Sequence, residues 1–198
     1  MPNRYKLKNN RKFPAIFTTH NNMRTLFLDR DGVINKRIPD EYVTSPAEFE
    51  PVPGLAEAIR LLSQKFDLII VVTNQQGIGK GLMGELALAD IHRKMIELAT
   101  ADGGRIDKVY HCPHRKEDGC SCRKPATGMA WLALEDFPEL NLEDAWMVGD
   151  SIGDMEFADR LGIRKVMIRG KIEELDQLGK LELDFIFDSL LDFAQFLA

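Results

Sequence analysis

Leu26-Phe27-Leu28-Asp29-Arg30-Asp31-Gly32-Val33 decides how this 198-residue chain is read. Three apolar residues run into two carboxylates spaced i and i+2, and a glycine follows. The apolar run predicts a buried strand. In an extended backbone, side chains two apart share a face, so Asp29 and Asp31 can address one small volume. Gly32 permits a sharp exit from the strand. Two close carboxylates repel unless a cation lies between them or they share a proton. The stretch is therefore a candidate for metal-assisted chemistry at the carboxyl end of a strand. The alternative is a strand ending in a charged, solvated turn.

On the amino-terminal side, residues 1–22 carry Arg4, Lys6, Lys8, Arg11 and Lys12 and no acid. They lack the apolar centre of a secretory signal and the helical period of a mitochondrial presequence. A flexible arm is expected there, with Met23 an alternative start, and residues 23–198 are expected to form one domain. On the carboxyl side, residues 33–53 contain four prolines and read as loop. A helix follows from Gly54 to Gln64. Leu68-Ile69-Ile70-Val71-Val72 is a continuous apolar run suited to a central parallel strand. It exits into Thr73-Asn74-Gln75-Gln76-Gly77-Ile78-Gly79. A helix over 85–101, a strand over Lys108–Cys112 and a helix from Pro125 or Thr127 to about Phe137 come next. Then come a strand over Ala145–Val148, a helix from about Met155 to Leu161 and a strand over Lys165–Ile168. Residues 172–178, 185–187 and 189–197 predict a helix, a short strand and a closing helix. Strands alternating with helices predict an α/β fold with a mainly parallel sheet. The polar clusters Asp29/Asp31, Thr73/Asn74 and Gly149-Asp150-Ser151 all fall where open α/β sheets carry their sites.

The bulk properties remove several function classes. A formal net charge of −5 argues against a dedicated nucleic-acid binder. No apolar run approaches the roughly 18–20 residues of a membrane span. A cytoplasmic protein is expected, and a monomer.

A phosphate monoester among these groups would meet the right chemistry. A carboxylate can attack phosphorus in line and divide a hard hydrolysis into two easier steps. The attacking anion and the phosphate repel, so a divalent cation is needed, and magnesium suits carboxylate oxygens. Asp29 and Asp150 can supply two ligands. Asp31 is then free to protonate the leaving alkoxide and later to activate water. Thr73 offers a hydroxyl and Lys124 a point charge to the phosphoryl oxygens.

Leu28-Asp29-Arg30-Asp31-Gly32-Val33, Val72-Thr73-Asn74, Lys124 and Gly149-Asp150-Ser151-Ile152-Gly153-Asp154 occur in the order of the four motifs of the haloacid dehalogenase-like superfamily, which the chain resembles over about residues 24–170. The resemblance implies a three-layer Rossmann-like fold and hydrolysis through an aspartyl-phosphate. It makes Asp29 the nucleophile and Asp31 the general acid/base, and has Thr73 and Lys124 bind the phosphoryl group. It has magnesium held by Asp29, the Asp31 carbonyl and Asp150, with Asp154 orienting Lys124 or the metal's waters. The alternative for Asp154 is an acid favoured by a helix N-terminus. The gaps between motifs hold no large insertion, so a capless enzyme is expected.

All three cysteines lie in Cys112-Pro113-His114 and Cys120-Ser121-Cys122. Clustered cysteine with histidine reads as a metal site before a disulfide in such a protein. Three thiolates and one imidazole fill a closed tetrahedral zinc site, which would be structural and would fix Arg123 and Lys124 just downstream. A redox pair or three free thiols are the alternatives. His111 lies beside the pattern, and His20 and His92 read as surface or packing residues. The loop resembles the branch of the superfamily that acts on heptose bisphosphates and histidinol phosphate. That resemblance implies removal of the 7-phosphate of D-glycero-D-manno-heptose 1,7-bisphosphate, with histidinol phosphate the alternative substrate. Asn74, Lys80 and Arg123 are then expected to contact substrate; for Lys80 the alternative is a solvated loop charge. A non-catalytic, zinc-stabilised partner-binding domain would need no reason to keep every one of these acids.

Overall fold

The computed structural model describes residues 23–39, 41–169, 179 and 181–198. The expected arm over 1–22 and helix over 172–178 lie outside them. Among the described residues six strands pair in parallel: β1 (Thr25–Leu28), β2 (Leu68–Asn74), β3 (Lys108–Cys112), β4 (Trp146–Gly149), β5 (Arg164–Ile168) and β6 (Phe185–Phe187). Their order across the sheet is β3-β2-β1-β4-β5-β6. The crossovers are α1 (Leu55–Ser63), α2 (Glu85–Ala99), α3 (Gly128–Asp136) and α4 (Ile152–Leu161), and α5 (Leu190–Leu197) closes the described chain.

The period-2 alternation of the central strands divides the core in two. Leu26, Leu28, Ile69, Val71 and Val148 face α1, α2 and α5. Phe27, Ile70, Val72 and Met147 face α3 and α4. Both faces are therefore covered, which is why the runs Leu26–Leu28 and Leu68–Val72 are apolar at every position. In α1 the buried residues Leu55, Ala58, Ile59 and Leu62 recur three and four apart, as one core-facing stripe requires. Phe27 meets Phe157 of α4 edge-on, with ring centroids 6.2 Å apart.

Two boundaries differ from expectation in ways that bear on the site. β2 continues past Val72, because Thr73 and Asn74 stay in register with His111 and Cys112 of β3. α4 begins three residues early, at Ile152, with Ser151 as its N-cap and Asp154 reaching back to the Ser151 backbone N–H at 3.1 Å. Among the described residues, the segments between β1 and β3 contain only loops, one 3-10 turn at Pro46–Glu48 and the crossover helices α1 and α2, with no cap domain over the sheet.

Chain direction reverses its lateral progression at β1, with β2 on one side and β4 on the other. That is the switch point where an open α/β sheet leaves a crevice beyond its strand ends. Asp29, Thr73 and Asp150 come from these three adjacent strands.

Candidate active site and metal centres

β1 ends at Leu28, and the Asp29 N–H donates to the Val148 carbonyl at 2.9 Å, extending the β1–β4 ladder by one bond. The chain then tightens. The Ile34 N–H donates to the Arg30 carbonyl at 2.8 Å, and Gly32 adopts φ 96°. Glycine is needed there twice over. The φ is left-handed, and a β-carbon would lie 1.9 Å from Asp150 Oδ2. The carboxylate of Asp150 thus rests on the bare face of Gly32.

Lys124 is the hub of the buried charges. Its Nζ lies 2.8 Å from Asp29 Oδ1 and 2.6 Å from Asp154 Oδ1, and donates to the Val72 carbonyl at 2.6 Å. Lys124 arrives on a loop, yet Asn74 fixes it. The Lys124 N–H donates to Asn74 Oδ1 at 3.0 Å, and Asn74 Nδ2 donates to the Lys124 carbonyl at 3.1 Å. Both polar atoms of Asn74 therefore hold the Lys124 backbone, which gives Asn74 a positioning role. Asp154 also accepts from Ser151 Oγ at 2.6 Å, so the first turn of α4 is tied to the ammonium.

Carboxylate oxygens of Asp29, Asp150 and Asp154 all lie within 4.8 Å of one another, and all three residues are buried. Burial, with Asp154 next in weight, pushes the Asp29 carboxyl up to about 6 against the pull of Lys124. Burial and then Asp29 push Asp150 up to about 8 against the pull of Arg37. Burial opposes the charge on Lys124 too, but Asp154 and Asp29 outweigh it and hold the ammonium above its usual value. The cluster is short of positive charge and offers hard oxygen donors, so it fits a divalent cation.

Asp31 is held differently. Arg30 donates to it from Nε at 3.2 Å and from Nη2 at 2.9 and 3.0 Å. Asn35 Nδ2 donates at 3.0 Å, and Gln75 Nε2 donates at 2.8 Å to Asp31 and at 2.9 Å to Thr73 Oγ1. Burial raises the Asp31 carboxyl, but Arg30, Asn35 and Gln75 outweigh it and keep it below the usual carboxylate range. Arg30 itself is buried, with Nη1 3.4 Å from His92 Nε2. Burial and then Arg30 push His92 down to about 3, so its ring is neutral and can accept from the guanidinium. His111 bonds Glu85 at 3.0 Å on the α2 side.

The structure brings Asp29, Asp150, Asp154, Lys124 and Thr73 to one crevice, with Asp31 beside them. Arg30, Arg37 and Gln75 belong to it as well, and the sequence reading does not place them there. Arg37 Nη2 lies 2.6 Å from Asp150 Oδ1 and donates to the Asp31 carbonyl at 3.2 Å. Gln75 carries a signal, since it follows Thr73-Asn74 and alternation returns it to the face of Thr73. Arg30 and Arg37 carry none, because their guanidinium groups fold back over the local backbone.

Cys112, His114, Cys120 and Cys122 form a second cluster that could hold a metal ion, with ligand atoms within 4.8 Å of one another. Cys112 Sγ lies 3.5 Å from Cys120 Sγ and 3.0 Å from Cys122 Sγ, and His114 Nδ1 is 3.2 Å from Cys122 Sγ. Separations of about 3–4 Å suit four ligands around an ion whose bonds are roughly 2.0–2.3 Å long. All three thiols are unpaired by disulfides.

The loops at the mouth are chained together. Lys80 Nζ donates to Tyr42 Oη at 3.0 Å and stands 5.1 Å over the tyrosine ring, while Gln76 Nε2 donates to the same hydroxyl at 2.7 Å. Arg115 Nε donates to the Gly79 carbonyl at 2.6 Å, and Arg123 Nη1 donates to the His114 carbonyl at 3.4 Å. Lys80 and Arg123 are thus both fastened to the rim.

Known proteins resemble this chain in sequence and in fold. A family model described as HAD-hydrolase-like matches residues 121–193. D-glycero-beta-D-manno-heptose-1,7-bisphosphate 7-phosphatase of Pseudomonas putida is 39% identical over 174 residues, which cover 87% of this chain and 98% of that protein. D-glycero-alpha-D-manno-heptose-1,7-bisphosphate 7-phosphatase of Mycobacterium tuberculosis is 42% identical over 133 residues, 67% of this chain and 70% of that one. The crystal structure of D,D-heptose 1,7-bisphosphate phosphatase from B. bronchiseptica, complexed with magnesium and phosphate, superposes with a TM-score of 0.80. It is 34% identical and covers 88% of this chain and 98% of its own.

Proposed function

Since the chain belongs to the haloacid dehalogenase-like superfamily, in the family of the D-glycero-D-manno-heptose 1,7-bisphosphate 7-phosphatases, we propose that it removes the 7-phosphate of such a heptose bisphosphate. The observation that carries the reading is the Asp29–Lys124–Asp154 chain beside Asp150, reached through a rim fitted with Lys80 and Arg123. The relatives' names favour the heptose over the expected alternative, histidinol phosphate.

Asp29 attacks phosphorus in line. An Oδ–P bond forms, the bond from phosphorus to the sugar oxygen breaks, and Asp31 gives its proton to the departing oxygen. Asp31 then takes a proton from water, the water oxygen bonds phosphorus, and the Oδ–P bond breaks to free phosphate and restore Asp29. Asp31 gains its first proton against the pull of Arg30, and a phosphate dianion in contact with it works in that direction. Thr73 Oγ and Lys124 Nζ stabilise the equatorial phosphoryl oxygens. Asp154 keeps Lys124 charged, and Asn74 keeps it in place.

Asp29, Asp150 and the Asp31 carbonyl would hold magnesium. When bound, it supplies positive charge between carboxylate and phosphate. Cys112, His114, Cys120 and Cys122 would hold zinc, with no position left for water. We read residues 23–198 as one catalytic domain acting as a monomer in the cytoplasm. Among the described residues no helix is long and apolar enough to cross a membrane.

The test is phosphate release from purified enzyme offered both anomers of the heptose bisphosphate, histidinol phosphate and an aryl phosphate. Strong preference for one heptose anomer is expected. Preference for histidinol phosphate, with the heptose ignored, would overturn the substrate assignment.

Lys80 and Arg123 are assigned to the phosphate that is not cleaved. A charged hydrogen bond to phosphate is worth about 1.5–3 kcal/mol, so Lys80→Ala should raise KM for the bisphosphate on the order of tenfold. Turnover of the aryl phosphate, which has no second phosphate, should stay unchanged. Equal losses on both substrates would assign Lys80 to the loop's architecture instead.

A further inference from the structure

Arg37 stands in the crevice with no part in the steps above. Its Nη2 lies 2.6 Å from Asp150 Oδ1 and 3.2 Å from the Asp31 carbonyl oxygen. These are two of the three oxygens assigned to magnesium. The carboxylate of Asp150 has little freedom to serve two partners in turn, because its Oδ2 is pressed against Gly32, where even a β-carbon would approach to 1.9 Å. Oδ1 is the atom it presents. Arg37 has freedom, since its side chain is 34% exposed at the mouth while that of Asp150 is 2% exposed.

A cation on those oxygens would sit at about 2.0–2.1 Å from each. The guanidinium nitrogen would then lie almost on top of it, with like charge. The two cannot share the site. We propose that Arg37 exchanges with magnesium at Asp150 and the Asp31 carbonyl, and so sets the affinity with which this chain holds its catalytic cation. The inference rests on the magnesium assignment made above. The physical benefit is continuity of charge. Asp29, Asp150 and Asp154 lie within 4.8 Å of one another, and a counter-ion supplied by the chain spares Asp150 the cost of a buried, unpaired charge. The cost is apparent affinity. Whatever fraction of molecules has Arg37 on Asp150 reduces cation binding by that fraction, so about 90% occupancy by Arg37 weakens it about tenfold.

The experiment is calorimetric titration of magnesium into wild type, Arg37→Ala and Arg37→Gln, without substrate, together with melting curves in chelator and in saturating magnesium. Arg37→Gln keeps most of the length of the side chain and removes its charge, which guards against loss of loop structure. Both variants should bind magnesium on the order of tenfold more tightly than wild type. Both should melt earlier than wild type in chelator and together with it in magnesium, so that magnesium raises their Tm by more. Wild-type or weaker affinity in both variants, or an unchanged magnesium-induced rise in Tm, overturns the proposal. Failure of the underlying reading looks different: wild type itself would show no magnesium binding, or Asp150→Asn would bind as tightly as wild type.

Discussion

Asp29→Asn is expected to lower turnover on the order of 10^4–10^6-fold, the range spanned when single members of a catalytic set are removed from an otherwise intact site. The substitution is nearly isosteric. The amide oxygen it introduces can still accept from Lys124 Nζ, which lies 2.8 Å from the wild-type carboxylate, and the backbone bond to Val148 is untouched. What disappears is the lone-pair donor whose attack makes the covalent intermediate, and an amide does not replace it. Loss of fold is not the cause to expect. Burial, then Asp154, raises the Asp29 carboxyl to about 6, so the ionised form is penalised by folding. That penalty is absent at pH below the ordinary carboxylate value of about 3.9, grows as pH rises, and is complete above about pH 6. At neutral pH in chelator the amide variant should therefore melt no earlier than wild type. Phosphate release from an aryl phosphate, read beside the melting curve, checks both halves. Substantial turnover in a well-folded Asp29→Asn protein would remove Asp29 as nucleophile.

The position of this residue is legible because three signals coincide at it: an apolar run, a period-2 pair of acids and a glycine. The rest of the sheet is legible for a related reason. Strands buried on both faces are apolar at every position, as Leu68 to Val72 are. The order of the strands is not, because parallel pairing is settled by which helix covers which face, and no local pattern records that. Nor is the end of β2. Thr73 and Asn74 are polar, so the hydrophobic signal stops at Val72, while the hydrogen-bond register with His111 and Cys112 carries on. Those two residues are where the strand turns from core to site. The start of α4 is obscured for the converse reason. Gly153 weakens the helical pattern, although Ser151 and Asp154 have the spacing of a capping pair. In the site, strand alternation exposes some residues to a sequence reading, and residues that curl back escape it. Arg30 points away from Asp29 along the strand, yet its guanidinium returns to Asp31 because the chain turns at Gly32. Asn74 reads as a substrate contact because it follows Thr73. Its amide is instead matched to the backbone of Lys124, 50 residues on, a contact that only the folded chain creates.

That contact also governs what should follow when the metal proposed for the cysteine loop is removed. Lys124 is two residues beyond Cys122, and its backbone N–H and carbonyl are both held by Asn74. The other anchor is the loop from Cys112 to Cys122, which has one short 3-10 turn at Lys116–Asp118 and little apolar content to order it. Cys112 is buried on β3, and Gly128, at the start of α3, donates to the Ser121 carbonyl at 2.9 Å, so both ends of the loop are attached to the core. Cys122→Ser should therefore leave the sheet folded while releasing the segment that delivers Arg123 and Lys124. A misplacement of about 1 Å in a reacting constellation can cost about 10^2-fold, and turnover should fall by at least that factor. Tm should fall on the order of 10 °C, given about 2–4 °C per kcal/mol in a protein of this size and the loss of several kcal/mol of metal binding. Emission spectrometry of wild type should find one zinc per chain, and of the variant, none. Asn74 distinguishes this account from general destabilisation. If the loop acts by placing Lys124, then adding Asn74→Ala to Cys122→Ser should cost little further turnover, because both changes undo the same placement. Fully additive losses, or a zinc-free enzyme with wild-type turnover, would separate the cysteine loop from Lys124.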